Sequence, residues 1–299
     1  MIFVFGSINL DMVVALPRLP KAGETVSGPD HQTFPGGKGA NQALAARRAG
    51  AEVSLTGAVG RDAFAELALA NLRAAGVDLQ GVRVLDGATG LALIGIDPKG
   101  ENQIIVASGA NIRVEADWLE GRVTSGSTLM LQGEAPLREI RKAMGIAGQT
   151  GASVFWNPAP VPQDDLMDCL DRTNTLVVNE GEAAYIAGKL GMPGEPDKFA
   201  RDGAASGRAV IVTLGSRGIV AAKGEGLFRF AAPQVTAVDT TGAGDAFCGA
   251  LAAALDLGRP FDRALKEGMA AGALACTVTG AQSSAPDKAE IARLADQIV

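Results

Sequence analysis

The sequence has very few of the residues on which several common kinds of functional site depend. Of 299 residues only 4% are aromatic, three are cysteine and one is histidine. A Ser-His-Asp triad or a Cys/His zinc site would have to use the lone His31, and nothing around it supports either. We therefore interpret His31 as a polar loop or lid residue. Cys169, Cys248 and Cys276 are odd in number and far apart, so they predict reduced thiols in a cytoplasmic protein.

Long apolar runs and basic clusters are missing as well. No apolar run is long enough for a membrane span, and the N-terminus lacks the basic start and cleavage site of a signal peptide. The net charge is −6, with no long basic stretch, which disfavours nucleic acid and anionic membrane as partners. Hydrophobic residues make up 47% of the chain and charged residues 20%, so a sizeable core can be buried. Small molecules remain as the expected partners.

Strand-like and helix-like segments alternate along the chain. Strands are predicted at residues 2–6, 53–58, 129–131, 154–156, 176–178 and 210–214. Helices are predicted at residues 39–49, 63–75, 137–147, 181–190, 199–206, 261–279 and 288–298. This alternation predicts an α/β fold with a mostly parallel central sheet flanked by helices. No repeat, low-complexity tract or linker divides the chain, so we expect one domain over residues 1–299.

Two segments, at about residues 11–35 and 89–108, depart from that rhythm. Each is typical of short β pieces joined by a turn. Four strands from the two segments could form a small sheet beside the main one. Such a sheet could cover a cleft or pair with a second copy of the chain. The alternative is a pair of ordinary surface hairpins.

Residues 239–250 (Asp-Thr-Thr-Gly-Ala-Gly-Asp-Ala-Phe-Cys-Gly-Ala) are the most informative stretch. The valine-bearing run at residues 235–238 predicts a strand before it, and the alanine-rich run after it predicts a helix. Gly242 and Gly244 have no Cβ, so backbone amides at the helix start could approach an anion such as a phosphate. Asp245 inside this turn could take a proton from an attacking hydroxyl. Alternatively, Asp245 only caps the helix.

A second glycine-rich run, residues 36–41, precedes the first strong helix. It is not a P-loop, because Gly39 follows Lys38 where serine or threonine is required. The first strand does not lead into a dinucleotide-binding turn either, which disfavours a nicotinamide-dependent oxidoreductase. Asn9, Asp11 and Asn41 occupy predicted strand-end and helix-start positions. They could bond neighbouring hydroxyls of a sugar, or they could simply cap turns.

Three further polar turns each follow a predicted strand. Glu134 reads by default as a surface glutamate. Asn179 and Glu182 are typical of a helix start, where acids are favoured by the dipole. Residues 213–218 could form a β-hairpin turn or a cradle for a nucleotide.

In combination these residues resemble the ribokinase-like, or phosphofructokinase-B-type, carbohydrate kinases, and the resemblance runs essentially end to end. Residues 36–43 (Gly-Gly-Lys-Gly-Ala-Asn-Gln-Ala) are similar to the N-terminal signature of that family, and residues 239–249 to its C-terminal signature. Asn9, Asp11 and residues 280–282 (Gly-Ala-Gln) match as well. The resemblance implies a ribokinase-like fold whose small β-sheet serves as a lid.

The resemblance also implies a role for each matching residue. Asp245 would be the catalytic base. The anion hole would consist of the amides of Gly242, Ala243 and Gly244. The sugar would contact Asn9, Asp11, Gly37, Lys38, Asn41, Glu134 and Asp245. ATP would contact Asn179, Thr213, Leu214, Gly215, Ser216, Arg217, Gly218 and Gly244. Glu182 would organise Mg²⁺ through water. K⁺ would be held by Asp239, Thr241, Ala275, Val278, Gly280 and Ser284. Met269 would lie near the adenine.

The substrate is then expected to be a neutral polyol, because Asp11 and Glu134 would make the pocket acidic. Few aromatics are present to bind a nucleoside base. The expected reaction is transfer from ATP to the 5-hydroxyl of D-ribose, giving ribose 5-phosphate and ADP. Deoxyribose, fructose, a keto-deoxy sugar acid or a nucleoside remain alternatives, as does a non-catalytic sugar-binding protein. The resemblance further implies a homodimer through the β lid, with His31 approaching the neighbour's site.

Overall fold

The computed structural model describes all residues, 1–299. Its strands are β1 Ile2–Phe5, β2 Asn9–Ala15, β3 His31–Gly36, β4 Val53–Gly60, β5 Asp78–Leu85, β6 Gly90–Ile96, β7 Asn102–Ala107, β8 Thr128–Leu131, β9 Ser153–Trp156, β10 Thr175–Asn179, β11 Ala209–Thr213, β12 Ile219–Lys223 and β13 Gly226–Phe230. Its α-helices are α1 Lys38–Arg48, α2 Ala63–Ala75, α3 Leu137–Thr150, α4 Met167–Asp171, α5 Glu180–Leu190, α6 Pro196–Ala204, α7 Ala243–Asp256, α8 Phe261–Ala275 and α9 Lys288–Ala295. Single 3₁₀ turns lie at Gly109–Arg113, Ala116–Leu119 and Gly215–Arg217.

The central sheet has nine strands in the order β13-β12-β11-β10-β9-β8-β1-β4-β5. All neighbours from β5 to β11 are parallel, and β12 and β13 add antiparallel at one edge. This confirms the predicted α/β fold. After β1 the chain moves outward to β4 and β5, and after β8 it moves the other way. β1 and β8 are therefore the topological switch point, where the connections diverge and leave a crevice beyond the carboxyl ends of the strands.

Both faces of this sheet are buried. Ile2 and Val4 on β1 pack on the side of α1, α2, α7 and α8, whereas Phe3 and Phe5 pack with Trp156 on the opposite side. This follows from the two-residue period of a strand, which sends alternate side chains to opposite faces. A strand covered on both faces has to be apolar throughout, as the Ile-Phe-Val-Phe run of β1 is. None of the helices is both long enough and apolar enough to cross a bilayer.

The predicted small sheet is present, with the strand order β3-β2-β6-β7. β2 belongs to the first of the two predicted β segments and β6 to the second. They pair in parallel from Asn9 opposite Gly90 to Ala15 opposite Ile96. The alternative of two separate surface hairpins is therefore wrong. Because only three residues separate the end of β1 from the start of β2 at Asn9, the small sheet starts directly beside the switch point.

One predicted strand is absent. Residues 235–238 have no regular structure, and the N–H of Val238 donates to the carbonyl of Cys276 at 2.8 Å, at the C-terminal end of α8. The main sheet has already ended at Phe230, and Pro233 in the following segment has no N–H to extend a ladder. The segment thus crosses to α8 and α7 as a free-standing connection, although its β-branched residues favour a strand.

The sequence interpretation also missed β5, β12 and β13. β5 (Asp-Leu-Gln-Gly-Val-Arg-Val-Leu) is an edge strand with several exposed positions, so polar residues interrupt its apolar pattern. β12 follows β11 across the three-residue turn at Gly215–Arg217. Residues 213–218 are therefore a hairpin connection, one of the two readings that the sequence left open.

Candidate active site

Two helices approach closely at the centre of the site. A Cβ placed on Gly249 of α7 would lie 2.5 Å from the Cβ of Ala45 on α1, so only glycine allows this separation. Asp245 lies one turn before Gly249, and Asn41 one turn before Ala45, on the same helix faces. The close crossing therefore brings the two conspicuous glycine-rich motifs, about 200 residues apart in sequence, into direct contact.

Asp245 is the buried carboxylate at this crossing, with 5% of its surface exposed. Its Oδ2 accepts a hydrogen bond from Asn41 Nδ2 and its Oδ1 one from Gln42 Nε2, each at 3.0 Å. The Nζ of Lys38 lies 3.7 Å from Oδ1, and the nearby Asp245 carboxylate raises the pKa of the Lys38 ammonium. α7 begins after Gly242 with no side-chain cap, so the alternative in which Asp245 only caps the helix is wrong.

Gln42 is a part of this site that the sequence interpretation missed. Besides Asp245, its Nε2 donates to Asn157 Oδ1 at 3.0 Å, and its Oε1 accepts from Gln132 Nε2 at 2.9 Å. These bonds connect α1 to the ends of β8 and β9. A signal did exist, because residues 38, 41 and 42 have the i, i+3, i+4 spacing of one helix face. Gln132 and Asn157 carry no such local signal.

The turn that precedes α7 requires glycine. Gly242 has φ 76°, and a Cβ there would lie 2.6 Å from the Cα of Ala281. The backbone amides of Gly242, Gly244 and Asp245 donate to no acceptor in the chain, whereas the amide of Ala243 donates to the Thr240 carbonyl at 3.3 Å. Free amides at a helix start, together with the helix dipole, form a site that fits an anion.

Asp239 holds this turn against the loop after α8. Its Oδ1 accepts from the amide of Thr241 and its Oδ2 from the amide of Gly280, each at 2.9 Å. Burial opposes the ionised form, but these amide bonds outweigh it and lower the pKa of Asp239. Asp239, Thr241 and Gly280 belong to the six expected K⁺ ligands, and the structure brings them together. The same loop is fixed from α1, where Arg48 Nη1 donates to the carbonyl of Gln282 at 3.0 Å and that of Ala285 at 2.6 Å.

On the other side of Asp245, polar groups collect at the switch point. Glu134, just after β8, accepts from the Ser7 hydroxyl and from the amide of Lys38, the latter at 2.9 Å. It therefore links the ends of β1 and β8 to the start of α1, and its reading as a plain surface residue is wrong.

Asn9 and Asp11 lie near the start of β2, not at the end of a strand as we expected. They are two residues apart and so share one face of β2. The Asp11 carboxylate lies against Gly36, where a Cβ would come within 2.3 Å of its Oδ2. Burial, with the nearby Glu134 and Asp245 carboxylates, raises the pKa of Asp11 to about 7.

This raised pKa predicts a pH-dependent cost in stability. In the unfolded chain Asp11 titrates near 3.8 and in the fold near 7. Its protonation therefore favours the folded state fully below the unfolded pKa, and that contribution is lost as the pH rises through about 7. Asp11→Asn is neutral at every pH, so its Tm should exceed that of the wild type by more at about pH 8 than at about pH 5.

Thermal unfolding across this pH range checks the prediction, with Asp86→Asn as the control. The Asp86 side chain is 94% exposed and pairs only with Arg61, which stays charged throughout, so its substitution should shift Tm equally at both pH values. A pH-independent Tm difference for Asp11→Asn would contradict the assigned burial cost.

A cavity of about 340 Å³ lies on the far side of the free amides. Its walls come from the β11–β12 turn, the 232–237 connection, and helices α7 and α8. Among the expected ATP contacts, those that line it are Thr213, Gly215, Ser216, Gly218 and Gly244. Met269 lines it as well. Leu214, Arg217 and Asn179 do not, and the Arg217 guanidinium instead pairs with the Glu180 carboxylate.

Asn179 and Glu182 form the capping box of α5. Asn179 Oδ1 accepts from the Glu182 amide, and Glu182 Oε2 accepts from the Asn179 amide, each at 2.8 Å. The helix-start reading of this pair is therefore correct. Burial raises the pKa of Glu182, and the negative charge of Asp245 raises it further. The bond from the Asn179 amide and the positive charge of Lys38 oppose this rise without cancelling it. Only one Glu182 carboxylate oxygen is used in the box, so the other is free for a further ligand.

The fold and this site define a carbohydrate kinase. The profile of the pfkB family carbohydrate kinases matches residues 1–288, and the chain belongs to that family. It is 37% identical to a ribokinase of Schizosaccharomyces pombe, over 97% of this chain and 96% of that protein. The crystal structure of ribokinase from Thermotoga maritima matches with a TM-score of 0.90 and 32% identity, covering 99% of both chains. Arabidopsis thaliana ribokinase complexed with ribose and ATP matches with a TM-score of 0.86 and 31% identity, covering 98% of both chains.

Proposed function

We propose that the protein is an ATP-dependent kinase that phosphorylates the 5-hydroxyl of D-ribose, releasing ADP. The observation that carries this proposal is the position of Asp245. The buried Asp245 carboxylate lies between a cluster of three further charged groups (Asp11, Lys38 and Glu134) and a turn with free amides that borders the 340 Å³ cavity at Ala243 and Gly244. Neither a sugar-binding protein without activity nor a nucleotide-binding module would need a carboxylate at that junction.

Phosphoryl transfer mainly requires alignment of the reacting groups and neutralisation of charge. Asn41 and Gln42 on α1 each donate a hydrogen bond to one Asp245 oxygen, so the carboxylate is held in one orientation. The remaining lone pairs can accept the proton of the attacking hydroxyl. The amides of Gly242 and Gly244 would stabilise charge on the transferred group, and the Ala243 amide would join them if its 3.3 Å bond to Thr240 is exchanged.

The residues present fit ATP and Mg²⁺. The cavity volume lies within the usual range for small-molecule sites, and the turn beside it keeps the amides of Gly242 and Gly244 without an acceptor in the chain, where a phosphate is expected. Thr213, Gly215, Ser216 and Gly218 would line the nucleotide. Glu182, with one free carboxylate oxygen, would hold Mg²⁺ through water. When bound, Mg²⁺ supplies charge neutralisation for the phosphates.

A K⁺ site is proposed at the loops that Asp239 joins. The fit rests on that carboxylate, because its bonds to the Thr241 and Gly280 amides bring both expected ligand segments together. The other proposed ligands, which act mainly through oxygens of the backbone, are Ala275, Val278 and Ser284. A cation there would stabilise the adjoining anion site by its charge.

D-ribose is proposed as the acceptor because relatives of this similarity are ribokinases, and one was solved with ribose and ATP. The acidic groups Asp11 and Glu134 suit a neutral polyol better than a phosphorylated sugar. Three free thiols, two of them buried, agree with work in the reducing cytoplasm.

The test is ATP consumption with D-ribose, deoxyribose, fructose, a keto-deoxy sugar acid and adenosine, each with and without K⁺. We expect D-ribose to give the highest kcat/KM and K⁺ to increase the rate. Faster turnover of another acceptor would replace ribose, and no turnover with any acceptor would overturn the kinase proposal.

A homodimer through the small sheet is also proposed. Strand β7 lies at the edge of that sheet, and Ile104, Ile105 and Val106 on it are 53%, 68% and 54% exposed. Such an apolar edge is suited to pairing with a second copy. His31 lies exposed on β3, and its approach to a neighbouring site depends on this proposal.

The expected result of Ile105→Lys is a shift from dimer to monomer in sedimentation, because the substitution places a charge in the proposed apolar interface. Val84→Lys is the matched control, since Val84 is 54% exposed on β5, an edge strand of the other sheet. If Ile105→Lys sediments with the same mass as the wild type, or if both variants sediment as monomers, the proposed interface is wrong.

A further inference from the structure

Asn111 is a buried polar residue for which the sequence interpretation gave no role. It lies in the 3₁₀ turn Gly109–Arg113, directly after the last strand of the small sheet, and is 2% exposed. Its side chain reaches the corner between β1 and β2. There Asn111 Oδ1 accepts from the Ile8 amide at 2.9 Å, and Nδ2 donates to the Ile8 carbonyl at 3.2 Å and to Asn9 Oδ1 at 2.7 Å.

The orientation of both amide side chains follows from Ile8. A backbone N–H can only donate and a backbone carbonyl can only accept, so Ile8 determines which end of Asn111 is oxygen and which is nitrogen. The end of Asn111 that faces Asn9 is therefore the donor. Asn9 must accept this hydrogen bond with its Oδ1, so the Asn9 Nδ2 points away from Asn111. That nitrogen has no acceptor in the chain, and it is not among the fully buried unpaired atoms, so solvent reaches it.

The side-chain amides of Asn9 and Asn111 pack closely against the backbone of Gly90. A Cβ on Gly90 would lie 2.1 Å from Asn9 Oδ1 and 2.3 Å from Asn111 Nδ2, so the two amides fill the space that a side chain would take. Gly90 pairs with Asn9 across β6 and β2. The contact is thus a built feature of the start of the small sheet.

The pocket beside Asn9 needs such a donor. Its acidic groups, Asp11, Glu134 and Asp245, accept hydrogen bonds when ionised and would use the protons of sugar hydroxyls. The oxygens of those hydroxyls still need donors of their own. Asn41 Nδ2 already donates to Asp245, which leaves the Asn41 Oδ1 unpaired as another acceptor. Lys38 and the outward Nδ2 of Asn9 remain as side-chain donors.

We propose that Asn111 is a positioning residue for the sugar site: it holds the Asn9 amide so that its NH₂ group, not its oxygen, faces the hydroxyls of the sugar. This inference rests on the proposed sugar-binding function. Asn111 itself touches no substrate. It acts through Asn9 and links that orientation to the segment where the small sheet ends.

The test is Asn111→Asp, which keeps the shape and the acceptor for the Ile8 amide but removes the donor to Asn9 and to the Ile8 carbonyl. The carboxylate would then attract the Asn9 NH₂ group and turn the Asn9 oxygen toward the sugar. We expect KM for the sugar, and its Kd by calorimetry, to rise roughly 10- to 100-fold because a buried polar contact is mismatched. The kcat at saturating sugar and KM for ATP should change by less than about threefold.

A double-mutant cycle separates positioning from a structural role. In an Asn9→Ala background, Asn111→Asp should weaken sugar binding by less than about twofold further, since the group it orients is gone. The inference would be overturned if the increases in sugar Kd of the two single variants multiplied in the double variant, or if Asn111→Asp alone left the sugar Kd unchanged. If Asn111→Asp does not fold, Gly90→Ala is the second variant: it keeps both amide side chains but places a methyl group 2.1 Å from Asn9 Oδ1 and 2.3 Å from Asn111 Nδ2. It therefore displaces the amide pair and should show the same rise in sugar KM.

Binding measurements keep this result distinct from the proposed function. A wild type that binds ribose but transfers no phosphate would overturn the kinase proposal, while the calorimetric comparison would still decide on Asn111. A wild type that binds no sugar would overturn both.

Discussion

Asp245→Asn should lower kcat by roughly 10² to 10⁴, the usual contribution of a general base, and change KM for the sugar much less. An amide is isosteric with the carboxylate but cannot take the proton of the attacking hydroxyl. It also meets two donors, Asn41 Nδ2 and Gln42 Nε2, with only one acceptor oxygen. We therefore expect a modest fall in Tm beside the large loss of turnover. Steady-state kinetics and thermal unfolding of the variant check both parts.

Asp256→Asn is the matched control for this substitution. Asp256 is the last residue of the same helix, and its carboxylate pairs with the N-terminal ammonium at 2.8 Å. Its loss should lower Tm slightly and leave kcat unchanged, because it lies at the far end of α7 from the site. A kcat of Asp245→Asn within about threefold of the wild type would remove Asp245 from the chemistry.

The parts of the site that the sequence predicted depend on local rules. Gly242 and Gly244 before an alanine-rich helix indicate an amide-lined turn, and the turn is present with φ 76° at Gly242. The same rules identified Asp245 as a residue inside that turn. They could not show that its carboxylate turns away from the cap and toward α1, because that depends on the close crossing at Gly249.

The parts that it did not predict depend on contacts between distant segments. Gln132 and Asn157 meet Gln42 from strands β8 and β9, and Asn111 meets Asn9 from a turn more than 100 residues away. A polar residue after a strand gives the same local signal whether it caps a turn or completes such a network. The strand predicted at residues 235–238 failed for a related reason: β-branched residues favour extended backbone, but pairing depends on where the sheet already ends.

The nucleotide side was predicted as a segment and not residue by residue. Within residues 213–218, those that line the cavity are separated by Leu214 and Arg217, which do not. The motif defines the turn, but the 3₁₀ geometry at Gly215–Arg217 decides which of its side chains face the cavity. The Arg217 guanidinium is directed instead to Glu180 on α5.

The anion site gives the second large prediction. Gly242→Ala should lower kcat by about 10² to 10³, the usual effect of losing one donor of an oxyanion hole. The new methyl group would lie 2.6 Å from the Cα of Ala281, so the turn has to move and its free amides move with it. Affinity for ADP should fall, whereas affinity for adenosine should change little, because the rest of the cavity is built from β11, β12 and α8. Kinetics and calorimetry with the two nucleotides measure each effect.

Gly258→Ala separates this effect from backbone strain. Gly258 follows the other end of α7 with φ 74°, nearly the same as Gly242, but no atom lies within 4 Å of a Cβ placed there. Both variants carry the cost of alanine in a left-handed conformation, roughly 1–2 kcal/mol, so both should unfold at lower temperature. Only Gly242→Ala should lose turnover and phosphate-dependent affinity. Equal kcat in the two variants would mean that the amides of the turn do not stabilise the transferred phosphate, and the anion site would have to be assigned elsewhere.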